Sequence, residues 1–121
     1  MKNSVKKEIE ELIKHHYLDC SIEEFRDNSK WFWISYISRL SEDFIREFQN
    51  EVYWPKIILY QKLSENFIRE LKDKIDWDLL VKSKELSLDF IRDMEFEGYI
   101  NMDLLSKYQN RVKDIILYGQ E

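Results

Sequence analysis

The stretch LSEDFIREF at residues 40–48 returns as LSENFIREL at 63–71 and again as LSLDFIRDM at 86–94. The three copies start 23 residues apart. Self-similarity at a short fixed period is typical of stacked-repeat proteins, in which one repeat is too small to bury its own apolar face. The sequence therefore predicts a short solenoid of stacked helix pairs with a 23-residue period.

Composition indicates that the repeats are helical. The 121-residue chain has only two glycines and one proline, too few of the residues that form the tight turns of a β protein. Its content of 36% charged and 15% aromatic residues suits short amphipathic helices with large rings in the core. We therefore expect an all-α fold in a single domain.

The first helix of each copy is expected to begin after a serine, Ser41, Ser64 or Ser87, whose hydroxyl accepts a hydrogen bond from a free amide of the first turn. Apolar residues at helical spacing form one stripe along each helix, and this stripe predicts the face that packs into the core. The stripes consist of Phe44, Ile45, Phe48 and Val52, then Phe67, Ile68, Leu71 and Ile75, then Phe90, Ile91 and Met94.

The second helices are expected to begin near Trp54, Trp77 and Met102, with Asp76 and Asn101 at the N-cap positions of the last two. Equivalent apolar positions in these helices predict the residues that pack inward. They are Trp31, Ile34, Trp54, Ile57, Tyr60, Trp77 and Leu80.

The predicted organisation is a single domain over residues 1–121. Its parts are a leader helix (1–19), a degenerate repeat (20–39), three repeats (40–62, 63–85 and 86–109) and a closing helix (110–121). The leader is expected to be helical over 4–18, with Ser4 as its N-cap and Tyr17 on its apolar face. A two-residue insertion around Gly98 distinguishes the third repeat.

The sequence shows no motif for catalysis or for binding a metal or cofactor. His15 and His16 are adjacent, so on a helix they point about 100° apart and cannot chelate one ion as an i, i+4 pair can. Cys20 takes the place of the leucine that precedes the cap serine in the other repeats, which predicts a buried apolar role. Carboxylates such as Glu47 and Glu70 recur at equivalent positions, whereas a catalytic carboxylate needs a special environment. We expect a protein without enzyme activity, metal or cofactor.

A single cysteine cannot form an internal disulfide, which fits a reducing compartment. No apolar run approaches the roughly 18 residues of a membrane span. We therefore expect a soluble cytoplasmic protein with no membrane partner.

Three arginines, Arg46, Arg69 and Arg92, form a ladder at the repeat period. Such a row could hold phosphates spaced along a nucleic-acid strand. However, Glu42 and Glu65 lie four residues before the first two arginines, which is the favourable order for an ion pair within a helix. We interpret the ladder as a salt-bridge seam, and keep nucleic-acid binding through it as the alternative function.

Residues needed for stacking should recur in every repeat, whereas residues acquired for binding should not. Phe32 and Tyr36 meet the second condition, because Asp78 and Lys82 stand at the equivalent positions two repeats later. Residues 86–109 carry two basic and five acidic residues, so this repeat disfavours direct contact with nucleic acid. The predicted partner-binding residues are Phe32, Tyr36, Leu88, Phe96, Asp89, Asp93, Glu95 and Glu97.

Packing is the competing explanation for the apolar members of this set. In that case the leader helix covers Phe32 and Tyr36, and the closing helix or the insertion near Gly98 covers Leu88 and Phe96.

The pattern L-S-E-x-F-I-x-x-F, followed by W-x-x-I-x-x-Y-Q-K, is represented here by LSENFIREL (63–71) and YQKLSE (60–65). It resembles the tandem short helical repeats of accessory proteins from bacteriophages and large DNA viruses, over about residues 20–109. The resemblance implies stacked short helices and supplies no catalytic residues. It implies a viral or prophage accessory protein. Our preferred hypothesis is a non-enzymatic helical-repeat module that binds a protein partner in the host cytoplasm, for example an anti-CRISPR protein that inhibits a host defence complex.

Overall fold

The computed structural model describes the backbone of residues 1–108 and the side chains of residues 1–105. Over this range the chain is all α-helical, with no β-strand. The helices are α1 (Asn3–His15), α2 (Phe25–Asn28), α3 (Trp31–Ile37), α4 (Glu42–Glu47), α5 (Trp54–Tyr60), α6 (Glu65–Glu70), α7 (Trp77–Ser83), α8 (Leu88–Phe96) and α9 (Met102–Tyr108), with a single 3-10 turn at Lys72–Lys74. The predicted closing helix at 110–121 lies outside the described residues.

The chain divides into two compact units, Met1–Lys62 and a second unit that begins at Leu63. The first unit contains α1 to α5 and the second contains α6 to α9. The boundary between them coincides with the predicted start of the repeat at residue 63.

The predicted N-caps of the helices within the three repeats are confirmed. The hydroxyls of Ser41, Ser64 and Ser87 each accept a hydrogen bond from the backbone amide three residues later, at 3.1, 3.1 and 3.2 Å. The side chains of Asp76 and Asn101 do the same for α7 and α9, at 3.2 and 2.7 Å. Each cap satisfies an amide that has no partner inside its helix, so the start of each helix is fixed by a local interaction.

The apolar stripes of the first helices are also confirmed as core. Every residue of the three predicted stripes is buried, with Phe44, Phe48 and Phe90 completely inaccessible. In the first unit the buried Phe25 of α2 packs edge-on against Phe44, with ring centroids 6.0 Å apart. Large rings thus fill the space between helices that are too short to bury an apolar face alone.

The tryptophans that start the second helices are half-buried, which differs from the core position that the sequence predicts for them. The indole N–H groups of Trp31, Trp54 and Trp77 each donate to the carbonyl oxygen five residues earlier, at 3.0 Å in all three cases. The indole N–H is a donor that needs a partner when the ring is partly buried. Each tryptophan therefore lies at the edge of the core, where it ties the start of its helix to the preceding helix or to the turn that follows that helix.

The leader helix α1 differs from its prediction at both ends. It begins one residue before Ser4, which is therefore not its N-cap, and it ends at His15. Tyr17 is fully exposed and lies in the left-handed region, with a φ of 52°, and the amide of Leu18 donates to the carbonyl of Ile13 at 3.0 Å. This is the Schellman arrangement, which ends the helix and turns Tyr17 away from the core.

The degenerate repeat starts with a capping box rather than a longer helix. The Glu24 carboxylate accepts from the amide and the hydroxyl of Ser21 at 3.1 and 2.9 Å, and the Glu24 amide donates back to the Ser21 hydroxyl at 3.2 Å. Only the single turn of α2 follows. The insertion around Gly98 has a similar local explanation, because Gly98 takes a φ of +88° and ends α8 after nine residues, whereas α4 and α6 have six.

No helix within the described part of the chain is long and apolar enough to cross a membrane.

Candidate protein-binding surface

The candidate surface lies on α3 and α5, which pack against each other in the first unit. Their inward faces are apolar and include the buried residues Ile34 and Ile57. Their sequences are unusual for partly exposed helices, because α3 has no charged residue and α5 has only Lys56. The outward faces are therefore aromatic rather than charged.

Four exposed aromatic residues form what we call the aromatic patch, namely Phe32, Tyr36, Tyr53 and Tyr60. Their exposed fractions are 54%, 39%, 44% and 59%. Phe32 lies with its ring centroid 6.0 Å from that of Tyr36 and 4.9 Å from that of Tyr53, and the Tyr36 and Tyr60 centroids are 5.7 Å apart. The four rings thus form one continuous cluster rather than isolated exposed side chains.

Lys56 lies among these rings. Its ammonium nitrogen is 5.2 Å from the ring centroid of Phe32, 5.1 Å from that of Tyr36 and 5.3 Å from that of Tyr60. These distances are within the range of cation–π attraction, which holds the ammonium against the rings. Within the described residues, Lys56 forms no ion pair with a carboxylate.

The hydroxyl groups of Tyr36, Tyr53 and Tyr60 form no hydrogen bond with other groups in residues 1–105. Together with the Lys56 ammonium, they give the aromatic patch four hydrogen-bond donors that are open to a partner.

A buried polar network lies beneath the aromatic patch and joins α3 to both ends of α5. The Gln61 amide nitrogen donates to the carbonyls of Ser35 and Ser38 at 3.0 and 2.8 Å, and its oxygen accepts from the Leu40 amide at 2.8 Å. The Ser35 hydroxyl accepts from the Tyr53 amide at 2.9 Å. Buried networks in which every polar group has a partner fix the geometry of the elements that they join. The network therefore holds α3 and α5, which carry the rings of the patch, in a fixed relative position.

The structure places the first pair of predicted partner-binding residues in this patch and brings them together. The leader helix does not cover Phe32 or Tyr36, so the packing explanation is wrong for these two residues. The second pair is not brought together. Leu88 is half-buried, while Phe96 is 89% exposed and lies eight residues further along α8, a rise of about 12 Å.

The four predicted acidic residues are all exposed, but two of them have internal partners. Asp93 pairs with Arg69 and Glu97 pairs with Lys72, both at 2.8 Å. Asp89 and Glu95 form no ion pair with a described residue.

Three members of the candidate surface, Lys56, Tyr53 and Tyr60, were missed from the sequence. Tyr60 was assigned to the core with Ile57, and this was wrong because the Tyr60 side chain faces solvent. The comparison of repeats contained the missing signal: Tyr53 stands where the neighbouring repeats have Lys30 and Asp76.

The arginine ladder forms ion pairs on two of its three rungs. Arg46 pairs with Asp43, three residues earlier, and Arg69 pairs with Asp93. Arg92 is exposed and contacts no carboxylate among the described residues. The expected pair between Glu65 and Arg69 is not observed, because the Glu65 carboxylate accepts from the amide and the hydroxyl of Ser87 instead, both at 2.7 Å.

The histidines and the cysteine have separate surroundings. The Nε2 atom of His15 lies 3.1 Å from a carboxylate oxygen of Glu11. The Nε2 atom of His16 lies 2.9 Å from the Ser38 hydroxyl oxygen, and the His16 ring packs edge-on against Trp33. No group of three or more His, Cys, Asp or Glu side chains that could hold a metal ion occurs in the part of the chain that the structure describes.

Cys20 is half-buried, not fully buried as expected, and lines a cleft of about 650 Å³ with His16 and Trp33. Desolvation raises the pKa of its thiol, and the carboxylates of Glu24 and Asp19 raise it further. A nucleophilic cysteine needs the opposite shift, toward the thiolate.

No family model, curated protein or solved structure matches this chain.

Proposed function

We propose that this chain is a non-enzymatic protein-binding module and that it binds its partner through the aromatic patch. The observation that carries the proposal is the cluster of four exposed rings on a buried polar support. Aromatic side chains are enriched among the residues that dominate binding energy in protein interfaces. A rigid surface also loses less conformational entropy when a partner binds.

Helix α7 of the second unit supports this assignment. Asp78 and Lys82 stand two repeats after Phe32 and Tyr36, Ser83 stands one repeat after Tyr60, and all three are exposed. The helical architecture therefore tolerates polar residues at these positions. The aromatic residues of the first unit are not required for packing, which favours a role in binding.

Nucleic-acid binding remains the second candidate, and the exposed rings of the aromatic patch are the observation that favours it. Surfaces that bind single strands combine stacked rings with a track of positive charge. Here the patch has a single cation, Arg46 and Arg69 are paired with carboxylates, and the chain has a net charge of −5. The charges favour a protein partner.

We also propose that the repeats form a short solenoid with a 23-residue period. The serine caps recur in the repeats that start at 40, 63 and 86, and the tryptophan hydrogen bonds recur in those that start at 20, 40 and 63. This return of the same local geometry supports the proposal.

The resemblance to viral repeat proteins directs the search for the partner. We propose a role as a viral or prophage accessory factor that inhibits a host defence complex, with CRISPR complexes as the first to examine.

In the experiment, this chain is used to capture its partner from cells that carry the gene, and the captured protein is identified. The affinity of that partner is then measured for purified variants of this chain. Phe32→Ala with Tyr36→Ala should weaken binding at least about tenfold, as expected for central aromatic residues of an interface. Two double variants serve as controls: Leu88→Glu with Phe96→Asn tests the other predicted surface, and Asp78→Ala with Lys82→Ala changes the equivalent positions of the second unit. The proposal is wrong if the first variant binds like the parent chain.

A further inference from the structure

We propose that Lys56 makes the aromatic patch selective for a partner segment that carries an aspartate or glutamate side chain beside an apolar one. This inference rests on the proposed function and adds the chemistry of the partner.

The position of Lys56 differs from that of an ordinary surface lysine. It is half-buried, and three ring faces surround its ammonium at 5.1 to 5.3 Å. The flat faces of aromatic rings attract the cation but accept no strong hydrogen bonds from its N–H groups. No carboxylate among the described residues pairs with Lys56. The rings hold its ammonium group in place, and the positive charge is available to a partner.

Comparison of the repeats shows that a lysine is not needed here for packing. The positions equivalent to Lys56 are occupied by Trp33 in the preceding repeat and by Leu79 in the following one, and both are half-buried like Lys56. An apolar residue is therefore compatible with this site in the fold. A lysine in its place carries a charge that the architecture does not require.

The remaining groups of the patch favour the same occupant. The three tyrosine hydroxyls can donate to carboxylate oxygens, and hydrogen bonds to a charged acceptor are stronger than those to a neutral one. The exposed side chain of Leu59, next to Tyr60 on α5, offers an apolar contact beside the cation. An acidic residue flanked by an apolar residue matches both features.

A phosphate could pair with the same ammonium, but nucleic-acid ligands gain affinity by placing several phosphates against several cations. α3 and α5 supply one cation in total. We therefore assign the site to a carboxylate of a protein segment, and oligonucleotide binding becomes an outcome that would contradict the assignment.

The test uses a displayed library of random peptides, selected on the full chain and on Lys56→Gln. Peptides selected by the parent chain should be enriched in Asp and Glu next to apolar residues. A selected acidic peptide should bind the parent about two- to fivefold more tightly than its Asn or Gln counterpart, the range for a solvent-exposed ion pair. Lys56→Gln should abolish this preference.

Two further variants guard against a loss of structure. Lys56→Arg keeps the charge and should keep the preference for acidic peptides. Lys62→Gln removes an exposed lysine outside the patch and should also keep it.

The inference is overturned if acidic and neutral peptides bind equally, if Lys56→Gln retains the preference, if no peptide is selected, or if oligothymidylate binds the parent chain in competition with the peptides. Its failure can be distinguished from failure of the proposed function. If Lys56→Gln binds the natural partner normally while Phe32→Ala with Tyr36→Ala does not, the patch is the interface but the carboxylate assignment is wrong.

Discussion

Phe67 is the residue whose truncation should destabilise the protein most clearly, since it lies in the middle repeat and is 2% exposed. Phe67→Ala removes a buried ring and leaves a cavity, so we expect the free energy of unfolding to fall by about 3 to 5 kcal/mol. Denaturant titration followed by circular dichroism measures this loss. Asn66→Ala, a change at the exposed neighbour, is the matched control. An unchanged midpoint for Phe67→Ala would show that the ring contributes nothing to the core.

The carboxyl of Glu24 should titrate at lower pH than an ordinary glutamate. The backbone amide of Ser21 lowers its pKa most, and the hydroxyl of Ser21 adds to the effect, since both hydrogen bonds favour the ionised form. A lowered pKa means that the interaction stabilises the fold above about pH 4.3, the unfolded value, and that this contribution is lost as the pH falls through the folded value.

Carboxyl-carbon chemical shifts measured against pH test the capping box. Ser21→Ala should raise the pKa of Glu24 part of the way to its ordinary value, because the amide of residue 21 remains as a donor. A Glu24 that titrates in the parent chain as it does in an unfolded peptide would mean that the capping box is absent in solution.

At the scale of single helices, two of the capping serines donate hydrogen bonds to a carboxylate of an earlier helix. Ser87 donates from both its amide and its hydroxyl to Glu65, and Ser41 donates in the same way to Glu8 of α1. Each pair ties the start of one helix to an earlier helix of the same unit. The link repeats although Glu8 lies outside the recognisable repeats.

A double-mutant cycle measures this link. For Glu65→Gln and Ser87→Ala we expect a coupling free energy of about 0.5 to 1 kcal/mol, at the low end for contacting residues because the pair is exposed to solvent. The same cycle with Glu95→Gln and Ser87→Ala should give no coupling. Strictly additive effects for Glu65 and Ser87 would show that the hydrogen bond from the Ser87 hydroxyl to Glu65 does not form in solution.

The helix starts within the three repeats could be predicted from the sequence because they are local, although the predicted cap of α1, Ser4, was wrong. A serine, aspartate or asparagine side chain binds an amide three residues away, whatever surrounds the helix. The end of α1 could not be predicted in this way. Its left-handed residue is Tyr17, whereas glycine or asparagine usually marks that position.

Which residues of a helix are exposed to solvent was harder to predict than where the helix starts. Helical periodicity places Ile57 and Tyr60 near one another on α5, yet only Ile57 is buried. Which part of a face is covered depends on the neighbouring helix, here α3, and this cannot be obtained from the period of one segment. Two of the four aromatic residues of the candidate surface were found from the sequence because they differ between repeats.

At the scale of the whole molecule, charge determines the expected behaviour toward nucleic acid. With a net charge of −5 and two rungs of the arginine ladder paired with carboxylates, we expect no measurable binding of duplex or single-stranded DNA at physiological salt. Fluorescence anisotropy with labelled oligonucleotides at several salt concentrations measures this. Micromolar binding with a steep dependence on salt would favour the second candidate function.

Site-specific photocrosslinking shows directly whether the aromatic patch is the partner-binding surface. The photoreactive residue p-benzoylphenylalanine is placed in separate variants at Phe32, Tyr60, Asp78 and Phe96, and each variant is irradiated in complex with the captured partner. All four positions are exposed, so each variant should fold like the parent chain. Crosslinks to the partner from positions 32 and 60, with none from 78 and 96, are the predicted result. Crosslinks from 78 or 96 alone would show that the partner binds elsewhere and that the aromatic patch is not the interface.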